Sequence, residues 1–135
     1  MGVLAPLLLT ALASGAVHAQ DETATYTMTF EGLWTADDIT DTSLPGSAHF
    51  TQVIGATHNS DTTIWASGGV ASAGVEDVAE LGVVIALVSE IGQNTNADVV
   101  VRAGSSFNAP TQTVTGTFTA TSSHPLVSVL SMVAP

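Results

Sequence analysis

The sequence predicts a mainly β protein: an antiparallel β-sandwich with one or two short helices around residues 71–92. Three observations point there. Two segments alternate apolar and polar side chains with period two, the pattern of a half-buried strand. Short strand-like runs recur between clusters of Gly, Pro, Asn, Asp and Ser, as they do in sandwiches. One proline-free stretch instead spaces its apolar residues by three or four.

The elements follow in order. Tyr26, Met28 and Phe30 alternate with Thr25, Thr27, Thr29 and Glu31, which places β-branched threonine on the wet face of a first strand. Gly32, Leu33 and Trp34 end it. Residues 36–47 hold Asp37, Asp38, Asp41, Pro45 and Gly46, the chemistry of a loop. Residues 48–56 and 62–66 read as a second and a third strand. From residue 71 to 91, Val75, Val78, Ala79, Val83, Ala86, Leu87 and Ile91 keep helical spacing, as one helix or as two broken near Gly82. The alternative for residues 81–88 is a buried strand. Residues 98–103 carry Val99, Val100 and Val101, which suits a short strand deep in a sheet. Residues 111–121 place Val114, Gly116, Phe118 and Ala120 on one side and threonines on the other. Residues 126–133 form a last, mostly apolar strand. No internal repeat of fixed period is present.

Composition narrows the chemistry. The chain has 135 residues, no cysteine, twelve acidic residues and one basic residue, Arg102, for a formal charge of −11. Without cysteine there is no disulfide scaffold and no thiolate site. One cation cannot neutralise a row of phosphates, which excludes ordinary nucleic-acid binding and attraction to an anionic membrane. Apolar residues make up 45% of the chain, too many for a disordered acidic tail.

Residues 1–19 read as a signal peptide. Leu4, Leu7, Leu8, Leu9 and Leu12 form an apolar run, and Val17-His18-Ala19 supplies a cleavage site after Ala19. No Lys or Arg precedes the run. The alternative is a short apolar helix or anchor, but about 20 residues are needed to span a bilayer comfortably. The expectation is a secreted protein, extracellular or periplasmic, with no membrane span after cleavage.

Four blocks of the remaining chain carry a family resemblance. The first is Tyr26, Phe30, Gly32 and Trp34. The second runs from Pro45 through Ala48, His49 and Phe50 to Gly55, His58 and Asn59, followed by Trp65 and Gly68. The third is Ala71, Ser72, Gly74, Val75, Val78, Ala79, Glu80 and Gly82. The fourth joins His124 and Pro125 to Ser131, Met132 and Pro135. Together they resemble the spondin domain, the amino-terminal module of F-spondin and mindin, in the form of a stand-alone exported bacterial member. The resemblance implies a non-catalytic β-sandwich used for adhesion, with matrix or cell-surface ligands. It also implies calcium in the full-length protein, with ligands beyond Pro135. On that comparison residues 20–135 would be a spondin-like domain incomplete at its C-terminal end, a fragment, and no calcium ligand transfers to this chain.

Other residues are candidates for chemistry. Asp37, Asp38 and Asp41 are weak calcium candidates, because calcium needs six to eight oxygens and the loop lacks an EF-hand pattern. A solvated loop is the simpler reading. Glu76, Asp77 and Glu80 suit the start of a helix, where negative charge meets the dipole. His49, His58 and His124 have no zinc spacing, and backbone hydrogen bonding is expected of each. A secreted hydrolase would need a Ser, a His and an acid in reach, yet no G-x-S-x-G elbow is present. Gly104-Ser105-Ser106 reads as a polar turn. A carbohydrate-binding module would need exposed Trp34 or Trp65, and core filling is the expected role of both.

Overall fold

A computed structural model describes residues 21–38, 43–104 and 109–135. The signal-peptide segment and Asp41, Ser105 and Ser106 lie outside these residues. Among the described residues the strands are β1 (Thr23–Glu31), β2 (His49–Phe50), β3 (Val53–His58), β4 (Ala97–Ala103), β5 (Thr113–Thr121), β6 (Leu126–Leu130) and β7 (Val133–Ala134). Two helices, α1 (Ala73–Leu81) and α2 (Ile85–Gln93), lie between β3 and β4. The fold is thus mainly antiparallel β with two short helices, as the sequence predicts.

Strand β3 is the centre. All of its residues are buried, and it is paired on one side with β4 and on the other with β6. Its alternating side chains feed two cores. Ile54 and Ala56 join Val75 and Val78 of α1 and Leu87 and Ile91 of α2. Val53 points the other way and joins Ala103 and Val114, with Met28, Phe30 and Phe50 packed against them. The helix pair therefore covers one face of the three-stranded sheet, and the β1–β5 ribbon covers the other. A Cβ on Gly116 of β5 would collide with the carbonyl of Arg102 in β4, which shows how closely the two layers approach.

The pairing corrects several boundaries. Residues 48–56 are not one strand: β2 and β3 are separated at Thr51 and Gln52. The final run likewise divides into β6 and β7 at Ser131 and Met132. These two breaks are one event. Thr51 N–H donates to the Met132 carbonyl at 3.0 Å. Met132 N–H donates to Thr51 Oγ1 at 2.9 Å, and Ser131 Oγ donates to the Thr51 carbonyl at 2.8 Å. Beyond this crossing β2 pairs with β7 as a separate ribbon.

Residues 62–66 form no strand, and Trp65 is 53% exposed rather than in the core. Among the described residues this segment has no neighbouring strand to pair with. Trp34, just beyond β1, is half-buried. Met28 and Phe30 are half-buried as expected, but Tyr26 is 51% exposed and stacks on Phe118 with ring centroids 5.6 Å apart. In β4, Val101 and Ala103 are buried, whereas Val99 and Val100 are half-buried.

Residues 71–91 resolve into two helices, not a strand. Ser72 caps α1, accepting from Val75 N–H at 3.2 Å. Gly82 ends it at φ 66°, a left-handed conformation that favours glycine. Glu76 lies in the first turn of α1, but Glu80 falls in its last turn, away from the helix start.

Candidate functional site

The motif residues are mostly engaged in holding the fold. Phe30 and Phe50 meet edge to face, with centroids 5.3 Å apart. Gly32 sits beneath the Pro110 carbonyl, where a Cβ would collide, and its N–H donates to Gln112 O at 3.0 Å. The Pro45 carbonyl closes a turn by accepting from Ala48 N–H at 2.9 Å. Gly55 faces the Ser128 carbonyl with no room for a side chain. Met132 belongs to the Thr51 crossing. Pro125 and Glu80 are exposed.

The three histidines are held apart in separate local roles. His49 Nδ1–H donates to the Ser47 carbonyl at 2.6 Å. His58 is 6% exposed. Its Nδ1 lies 2.8 Å from the Asn59 carbonyl and its Nε2 lies 2.8 Å from Ser128 Oγ. A carbonyl can only accept, so Nδ1 carries the proton and Nε2 accepts from the serine. This contact ties β3 to β6. Asn59 continues the same corner: its N–H donates to Asn96 O at 3.0 Å, and its Oδ1 accepts from Asp61 N–H at 2.9 Å. His124 N–H donates to Thr121 O at 3.1 Å, and its Nδ1 lies 3.0 Å from Ser123 Oγ. Its Nε2 is buried with no hydrogen-bond partner among the described residues.

Two of these contacts resemble parts of a serine hydrolase, and neither has the required order. In a triad the imidazole stands between the serine and the acid. Asp21 instead accepts directly from the hydroxyls of Ser122 and Ser123, and from Ser123 N–H at 2.9 Å. The Ser122 hydroxyl, followed by that of Ser123, holds the Asp21 carboxyl down at about 2 from an ordinary 3.8. Such a carboxylate is a poor base. At His58 no acid is engaged, because the second ring nitrogen bonds a backbone carbonyl. Both arrangements are structural: one pins the start of β1 to the β5–β6 turn, the other fixes strand register.

Of the acidic loop, Asp37 and Asp38 lie among the described residues, and Asp38 is engaged as a turn cap. Asp38 Oδ2 accepts from Thr35 N–H at 2.8 Å and from Thr35 Oγ1 at 3.1 Å, which caps the short turn Ala36–Asp38. Among the described residues no group of three or more His, Cys, Asp or Glu side chains is placed to hold a metal. Asp37 is exposed beside it.

Sequence reasoning missed Glu90. This residue of α2 reaches the N-terminus of α1, where Oε1 accepts from Gly74 N–H at 2.7 Å and Oε2 from Ser72 Oγ at 2.6 Å. The helices cross so closely that a Cβ on Gly74 would lie 2.5 Å from Leu87 Cα. Ser72 and Gly74 in the third motif block were the available signal. Between the 62–72 loop and α2 this crossing leaves a cleft of about 140 Å3, with Ile64, Leu87 and Ile91 as its floor and Thr63, Glu90 and Asn94 on its rim.

No helix among the described residues is long and apolar enough to cross a membrane. The family model described as Spondin_N matches residues 24–135. Spondin-1 from Gallus gallus, Mus musculus and Homo sapiens is in each case 34% identical over 79 residues, covering 58% of this chain and 10% of the relative. The match thus spans about a tenth of the length of these relatives. The family match covers β1 to β7 and all four motif blocks, and the chain belongs to the spondin N-terminal domain family.

Proposed function

We infer that this protein is a secreted, non-catalytic spondin-like module that binds the extracellular matrix or a cell surface. One observation carries the reading: the Spondin_N family model matches residues 24–135, and Spondin-1 is 34% identical over 79 residues. Calcium binding is proposed on the family resemblance. The test expresses residues 1–135 with a C-terminal epitope tag. The expected result is a secreted chain beginning at Gln20, retained on immobilised matrix but not on albumin, with no turnover of ester or glycoside substrates. An uncleaved intracellular chain that fails to bind matrix would refute it. Carbohydrate binding is the second reading, favoured by the exposure of Trp65. Retention on polysaccharide that is lost in Trp65→Ala would support it.

A further inference from the structure

We propose that the cleft between the 62–72 loop and α2 receives an arginine side chain from a basic protein segment. The cleft's volume of about 140 Å3 falls below the several hundred Å3 of a site for a drug-sized molecule, so it suits one side chain. Its floor is aliphatic, which matches the methylenes of a long cationic side chain. Its rim holds a carboxylate with capacity to spare. Glu90 Oε1 and Oε2 each accept one hydrogen bond, from Gly74 and Ser72. An ionised carboxylate offers about four lone-pair positions, so both oxygens can also accept from a guanidinium fork.

The site is preorganised. Asn94 Nδ2 donates to Thr62 Oγ1 at 2.8 Å and ties the loop to the end of α2. Glu90 cannot swing freely, because it is anchored to the α1 cap. Trp65, the next residue after the lining residue Ile64, is 53% exposed, so its indole can report on binding at this loop.

Charge selects the partner. Residues 61–90 carry Asp61, Glu76, Asp77, Glu80 and Glu90 and no Lys or Arg. A field of that sign attracts basic segments and repels anionic ones. A neutral sugar would gain nothing from it. This proposal deepens the adhesion reading by naming the ligand chemistry, and it rests on that reading only for the partner being extracellular.

The test is an NMR titration of residues 20–135 with the capped peptide Gly-Arg-Gly-Arg-Gly and with its citrulline counterpart. The arginine peptide is expected to shift the amides of Ile64, Trp65 and Glu90 and the Trp65 indole. The neutral citrulline peptide should bind roughly tenfold more weakly or not at all. Thr63→Lys places a competing ammonium on the rim and should weaken binding roughly tenfold, whereas Thr27→Lys, with the same charge change on the exposed face of β1, should change it less than about twofold. Equal weakening by Thr63→Lys and Thr27→Lys, equal binding of both peptides, or shifts scattered over the acidic surface would overturn the proposal. So would a simple sugar moving these amides when the arginine peptide does not. Failure of matrix retention with peptide binding intact would refute the adhesion reading and leave the cleft assignment standing.

Discussion

Replacing Gly74 by alanine sets two effects against each other. Alanine is the better helix former, and inside a helix the change from glycine gains up to about 1 kcal/mol. At Gly74, however, the new Cβ would lie 2.5 Å from both Leu87 Cα and Leu87 N. Those are backbone atoms, so no rotamer change relieves the clash. Carbon atoms pack at about 3.5–4.0 Å, and the helices must part by about 1 Å. That separation loosens Val78, Leu87 and Ile91, which are buried between the helices and β3. Because the clash is with backbone atoms, the overpacking cost falls in the upper part of the usual range, about 2–3 kcal/mol, and after the helix gain the net loss is about 1–2 kcal/mol. At about 4 °C per kcal/mol, Tm should fall by about 4–8 °C. Gly92 in α2 is the control, since nothing lies within 4 Å of its would-be Cβ. There only the propensity gain acts, and Gly92→Ala should raise Tm by about 2–4 °C. Thermal melting followed by far-UV circular dichroism measures both. If Gly74→Ala were as stable as the wild type, or if both variants moved in the same direction, the close crossing would not be what fixes the helix pair.

Three further outcomes are expected. Ser128→Ala should destabilise by about 1–3 kcal/mol in urea unfolding, because it leaves the buried His58 Nε2 without its partner, and a cycle with His58→Ala should recover a coupling of about 1 kcal/mol. Gly82→Ala should cost about 1–2 kcal/mol, since φ is 66° and the new methyl would lie 2.6 Å from Thr51 Cγ2, and thermal melting reads the loss. Asp21 has its folded pKa depressed to about 2, so its contribution is present above its unfolded value of 3.8 and is lost as pH falls through about 2. Asp21→Asn should therefore differ from wild type in Tm at pH 5, and that difference should shrink between about pH 4 and pH 2; a gap constant across that range would show that the Ser122 and Ser123 contacts do not form.

Much of the fold is legible in local pattern. The alternation of threonine with apolar residues places β1 and β5, and Gly82 marks the break between the helices. What local pattern cannot supply is a partner far along the chain. The breaks at Thr51 and Met132 arise from hydrogen bonds between residues some 80 positions apart. Residues 62–66 have strand-like side chains, and only the absence of an adjacent strand in the described fold makes them a loop. The cleft escaped notice for the same reason: its carboxylate, Glu90, lies 18 residues from the serine it binds. The motif residues form a signature in the sequence, but the roles of Gly55, Gly74 and His58 as packing contacts and clamps depend on partners remote in the chain.

The pairing of β1 with β5 also governs the order in which the protein can fold. Thr23 pairs with Thr121 and Glu31 with Thr113, so β1 leaves the ribosome about 80–100 residues before its only strand partner among the described residues. At synthesis rates of about 5–20 residues per second, that is a wait of roughly 5–20 s with an unpaired strand. Such a wait ordinarily invites aggregation. The threonines at 23, 25, 27 and 29 keep every second side chain of β1 polar during that interval. The same residues that solvate one face of the finished sheet thus also leave the waiting strand half polar until β5 arrives.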